Sequence, residues 1–146
     1  MKAMQITGTE GFASLQLKEV PTPLPGRGEV LIRVRAASLN FRDYMNVMGI
    51  RGVTGPIPRV PGSDGSGEIA ALGEGVSNWK VGERVVIPFM PEWHEGEFLP
   101  SHQATALGGL VDGLLREYAV LPASCLLPVP DYLSFEEAAT LPCAAV

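Results

Sequence analysis

Glycine and proline punctuate this chain from end to end: of its 146 residues 17 are Gly and 13 are Pro, against a usual combined background of about 12%. They are spread along the sequence and not clustered. Each one interrupts regular structure, Pro by removing a backbone donor and Gly by loosening the backbone. The pattern predicts many turns between short strands, and hence a mainly β domain.

Strand periodicity supports this. Ala13–Lys18 alternates apolar and polar residues, as a half-buried strand does. Pro21, Pro23 and Pro25, followed by Gly26 and Gly28, read as an extended connector ending in a turn. Glu29–Ser38 is the clearest strand, with Val30, Ile32, Val34 and Ala36 on one face and Arg33 and Arg35 on the other. Further strands are expected at Gly67–Leu72, Arg84–Pro88, Leu115–Leu121 and Leu126–Val129. Residues 49–62 read as loop.

One short helix is expected at Phe41–Met48. Asn40 stands as N-cap, Asp43 three residues later, and Gly49 in the position after the helix. Phe41, Met45 and Met48 share a face at helical spacing. Residues 89–113 fit neither period and are expected to form a long loop, a feature often tied to function. Near the end, Ser134-Phe135-Glu136-Glu137 is a capping box, and Pro142 marks the first position of a further helix. A one-turn helix is unstable alone because nucleation is costly. The expectation is therefore a front part of a longer protein, with residues 1–133 as one domain and 134–146 as the start of a connection.

Composition narrows the functional classes. Apolar residues make up 46% and charged residues 18%, so the chain folds. A net charge of −5 argues against a protein that grips phosphate backbones or anionic membranes. No apolar run is long enough to span a bilayer, and Met1–Gly8 contains no apolar leader segment. Cys125 and Cys143 form no Cys-x-x-Cys pair and no disulfide framework, so the expected compartment is the reducing cytoplasm.

Several motifs, taken in order, resemble one family. Gly28–Val34 leads into Ala37-Ser38-Leu39-Asn40-Phe41-Arg42-Asp43. Then come Pro61-Gly62-Ser63-Asp64-Gly65-Ser66-Gly67-Glu68, Leu72–Val76, Val81–Val85 and Ala138-Ala139-Thr140-Leu141-Pro142-Cys143. This set resembles the N-terminal, GroES-like domain of medium-chain dehydrogenase/reductases, and within them the zinc-independent, quinone-oxidoreductase-like branch. The resemblance implies a partly open antiparallel barrel with two or three short helices, whose Rossmann partner domain lies outside these residues.

It also implies roles for particular residues. Zinc-dependent relatives carry Cys where Asn40 stands, His-Glu where Ser63-Asp64 stand, and a third ligand Cys where Cys143 stands. Only Cys143 matches, and one thiol does not hold zinc. His94 and His102, with Glu92, Glu95 and Glu97, match no metal spacing. Asn40 either caps a helix or sits beside nicotinamide or substrate, or does both. Arg42 stands where zinc alcohol dehydrogenases carry a Ser or Thr proton relay; it is either a surface arginine or a fixed charge for a developing oxyanion. Asp43 stabilises the helix start or, as in zinc relatives, lies behind the metal position. Tyr44 offers a phenolic donor one residue before the position where related quinone reductases carry Tyr, or is a partly buried tyrosine. The expected catalytic residues are Asn40, Arg42 and Tyr44. Asn40, Phe41, Asp43, Ser63 and Asp64 are expected to face the cofactor.

The Gly62, Gly65, Gly67 cluster has the wrong order for a dinucleotide fingerprint and precedes a strand, so turns and close backbone packing explain it better. The resemblance thus implies NADP, or NAD, held mainly by the Rossmann domain of the same chain, with no zinc. Hydride would pass between nicotinamide and a carbonyl, quinone or activated C=C of a small molecule. The full-length protein would be a homodimer, with no nucleic-acid or membrane partner. Two rival readings are a 2-enoyl thioester reductase of the same superfamily and a free-standing, non-catalytic GroES-like interaction module.

Overall fold

The computed structural model describes residues 1–50 and 55–145. The strands are β1 (Lys2–Ile6), β2 (Leu15–Glu19), β3 (Glu29–Ser38), β4 (Asp64–Leu72), β5 (Arg84–Ile87), β6 (Tyr118–Pro122) and β7 (Leu127–Pro128). The helices are α1 (Phe41–Met48), α2 (Pro100–Ala104), α3 (Phe135–Ala139) and α4 (Leu141–Ala144). Among the described residues no helix is long and apolar enough to cross a membrane.

Two antiparallel sheets form. β1 pairs with β2, and the larger sheet runs β6-β3-β4-β5-β7. The segment ahead of β6 stitches them together: Met4 N–H donates to Leu115 O at 2.8 Å and Glu117 N–H to Lys2 O at 3.0 Å. β3 is central because its alternation puts Val30 and Ile32, both at 0% exposure, on the inner face. They pack with Ile69 of β4, Val85 and Ile87 of β5, and Leu121 of β6. Burying each such side chain contributes about 1.5–3 kcal/mol. Val86, on the opposite face of β5, meets Ala138 of α3 and Val129. The last helical turns are thereby fixed to the sheet.

β3 and α1 have the boundaries expected from sequence, while other elements differ. β1 was not expected, because its buried residues, Ala3 and Ile6, do not alternate. Ala13 and Ser14 belong to a 3₁₀ turn ahead of β2, so the strand starts at Leu15. β4 begins at Asp64, three residues early, because glycines let its first residues lie close to neighbouring backbone. A Cβ on Gly67 would stand 2.3 Å from Arg33 O. β6 begins at Tyr118, because residues 115–117 hydrogen-bond to β1 instead of continuing the ladder. Within residues 89–113 lies α2, opened by Pro100, so that the described residues hold four short α-helices where two or three were expected. α4 starts at Leu141, so Pro142 takes its second position. Residues 51–54, read as loop, lie outside the described residues.

Candidate functional site

The site forms where the end of β3, the start of β4 and α4 converge. Asn40 is extended, with φ −122° and ψ 161°, and α1 begins at the next residue. Its backbone N–H donates to Asp43 Oδ2 at 2.8 Å, closing the first turn. Gly49, at φ 65°, ends the helix in the left-handed region, where Gly carries no Cβ penalty. The Asn40 side chain is directed elsewhere: its Nδ2 donates to Asp64 Oδ2 at 3.0 Å, across 24 residues of sequence. The same oxygen accepts the Cys143 backbone N–H at 3.0 Å, across 79 residues. One carboxylate oxygen thus ties together three elements distant in sequence.

Asp64 is completely buried, and Asp43 is 5% exposed. Asp43 Oδ1, Asp64 Oδ1 and the buried Ser63 Oγ have no hydrogen-bond partner among the described residues. Burial pushes the Asp43 carboxyl above its ordinary range, against the opposing pull of the Asn40 N–H and the Arg42 charge. Burial, and secondarily the Asp64 carboxylate, push the Cys143 thiol up as well. Cys125, enclosed in the core, is pushed up to about 12.

Arg42 is anchored. Its guanidinium donates to Leu107 O at 2.8 Å and lies 5.3 Å from the centre of the Phe89 ring. That makes it a fixed positive charge close enough to favour the charged forms of both Asp43 and Cys143. α1 has a second buried support: Arg59 donates to Asn46 O at 2.9 Å, and Asn46 Nδ2 to Gly108 O at 3.1 Å. The buried face of α1 is therefore Asp43, Asn46 and Val47. The expected apolar face is turned outward, with Phe41 71% and Met48 38% exposed. Tyr44 is likewise exposed; its ring stacks on Phe41, 5.7 Å between centres, and meets Phe12 at a tilt, 6.0 Å between centres. Five expected site residues share one polar region: Asp43, Ser63 and Asp64 are buried in it, and Asn40 and Arg42 are half-buried at its side. Phe41 and Tyr44 belong to an adjoining aromatic surface.

Three contributors were not singled out from sequence as site residues. Phe89 and Leu107 hold Arg42, and Cys143 contributes its backbone N–H. Only the family pattern around Cys143 gave a signal for any of them. Phe89 and Cys143 also line an apolar groove of about 750 Å³, together with Val86, Met90, Trp93 and Leu141. Its volume suits a small-molecule ligand.

A catalytic zinc does not fit these residues. The Asn40 amide and the Asp64 carboxylate are bonded to one another. Among the described residues, no three His, Cys, Asp or Glu side chains converge as a ligand set. Nor do the glycines at 62–67 open a helix that could receive a pyrophosphate, since they lead into β4.

The antiparallel sheets with their few short helices are those of a GroES-like domain. The sequence profile of the alcohol dehydrogenase GroES-like domain matches residues 26–131, and the chain belongs to that family. It is 44% identical over 137 residues to a zinc-type alcohol dehydrogenase-like protein of Schizosaccharomyces pombe, covering 93% of this chain and 40% of that protein. It is 33% identical over 150 residues to an acryloyl-coenzyme A reductase of Metallosphaera sedula, covering 98% of this chain and 44% of that protein. A crystal structure described as an NAD-dependent alcohol dehydrogenase superposes with a TM-score of 0.84 at 35% identity, over 97% of this chain and 43% of that one. The chain thus spans less than half the length of these relatives.

Proposed function

We propose that this domain forms one wall of the active-site cleft of an NAD(P)-dependent oxidoreductase that works without zinc. NADP is the preferred cofactor, bound mainly by a Rossmann domain outside residues 1–146. The observation that carries the reading is the Asn40–Asp64–Cys143 bridge. It joins by hydrogen bonds three positions at which zinc-dependent relatives would carry ligands, with Arg42 anchored nearby as a fixed cation.

Bound nicotinamide would supply or accept the hydride. This chain's residues would orient the reactants and stabilise charge. Arg42, immobilised by Leu107 O and Phe89, is preorganised to stabilise an oxygen that gains negative charge as a carbonyl or an activated C=C is reduced. With its Nδ2 committed to Asp64, Asn40 would have only its amide oxygen to offer, as an acceptor for nicotinamide or substrate. Asp43, Ser63 and Asp64 form the buried polar floor on the cofactor side. Phe41 and Tyr44 add aromatic surface at its edge, and Tyr44 a phenolic donor. In the full-length protein we expect a homodimer.

A second reading is favoured by the likeness to an acryloyl-coenzyme A reductase: the activated C=C is that of a 2-enoyl thioester. The test is turnover by the full-length protein. Loss of reduced nicotinamide with enones, quinones and aldehydes, and weaker turnover of enoyl thioesters, is the expected result. Preference for the thioesters selects the second reading, and no turnover of any of them rejects both.

A further inference from the structure

Trp93 is an exposed indole that the chain holds still. It is 40% exposed and lines the apolar groove. Its Nε1–H donates to Gly96 O at 3.1 Å, and its backbone N–H to Met90 O at 3.0 Å. The His102 ring stacks on it at 6.0 Å with an interplanar angle of 13°, and Phe98 meets it edge-on at 5.5 Å. His102 is itself fixed, its Nδ1 accepting the Leu99 N–H at 3.1 Å. α2 has only five residues, too few for a helix that is stable alone. It carries His102 against the indole.

A surface aromatic restrained in this way offers contact area with little rotamer entropy left to lose on binding. The groove it lines adjoins the polar site, because Phe89 lies against Arg42 and Cys143 N–H bonds Asp64. A carbonyl placed against Arg42 therefore has its tail in an apolar channel with Trp93 in the wall. We infer that Trp93, clamped by Phe98 and His102, sets substrate specificity, selecting carbonyl or enone substrates with elongated apolar tails. This rests on the oxidoreductase reading above.

The experiment uses the full-length protein with reduced nicotinamide and a series of enones: 3-penten-2-one, 3-hepten-2-one and 3-nonen-2-one. kcat/KM is expected to rise along the series. In Trp93→Ala it should fall about tenfold for the longest member through KM, with kcat and the shortest member little changed, the loss of about 1.4 kcal/mol of contact. His102→Ala should show part of the same loss. Equal loss at every length, or none, would overturn the inference while leaving the oxidoreductase reading intact. A second measurement does not depend on turnover. In Trp79→Phe, which leaves Trp93 as the one tryptophan of this domain, emission from Trp93 should change saturably with added 2-nonanone. An unresponsive emission rejects the tail-binding role even if the enones are inert.

Discussion

The bridge to Asp64 makes Asn40 the most informative single position. Asp64 is fully buried, and its Oδ2 accepts two N–H groups, from Asn40 Nδ2 and Cys143 N, each at 3.0 Å. Asn40→Ala removes one of them and leaves a buried carboxylate with a single donor. A hydrogen bond to a charged group is worth about 1.5–3 kcal/mol, so the expected destabilisation is about 2 kcal/mol. For a domain of this size that is about 6–8 °C in Tm. An ordinary cap would be rescued by Ser, which caps as well as Asn. Here the side-chain N–H is spent on Asp64, which a serine hydroxyl is too short to reach, so Asn40→Ser should be about as destabilised as Asn40→Ala. Asn40→Asp should be worse, since it sets a second carboxylate beside Asp64. Thermal and urea unfolding of the four proteins, with Asp64→Asn to complete a double-mutant cycle, measures this. A coupling of about 1.5 kcal/mol or more is expected. Full rescue by Ser, or Asn40→Ala within about 0.5 kcal/mol of wild type, would refute the bridge.

Three other outcomes follow from the same geometry. Asp64→Asn should speed iodoacetamide modification of Cys143, because the carboxylate holds that thiol toward its neutral form; peptide mass spectrometry should find Cys125 protected until unfolding, and an unchanged Cys143 rate contradicts the contact. Burial raises the Asp43 carboxyl above 3.8, so the stability it contributes is full below that value and is lost as pH rises through the folded-state value; wild type should therefore lose ground to Asp43→Asn as pH rises from 3.8, and a gap moving the other way rejects the shift. The 146-residue chain alone should show no calorimetric heat with NADPH; saturable binding would put the cofactor site in the wrong domain.

The sequence made β3 and α1 legible because their signals are local. β3 alternates on a central strand, and α1 carries Asn40, Asp43 and Gly49 at its own ends. β1 was hidden because two different partners flank it, so its burial does not follow period two. β2 alternates in sequence, yet Leu17 is 61% exposed, showing that alternation alone does not guarantee a buried face. α1 reversed its expected faces for a related reason. Polar Asn46 is drawn inward by Gly108 O and by Arg59, and Phe41 and Met48 are left outside. The expected site residues rest on the family pattern, and their joining is not readable from sequence. The Asp64 contacts close over 24 and 79 residues, and no local period records such a pairing.

The most direct measurement of the central claim is hydride transfer by the full-length protein after exhaustive chelation, with metal content determined on the same sample. The account predicts undiminished reduction of an enone by NADPH with well under one zinc per chain. Activity that disappears on chelation and returns in proportion to added zinc would contradict it.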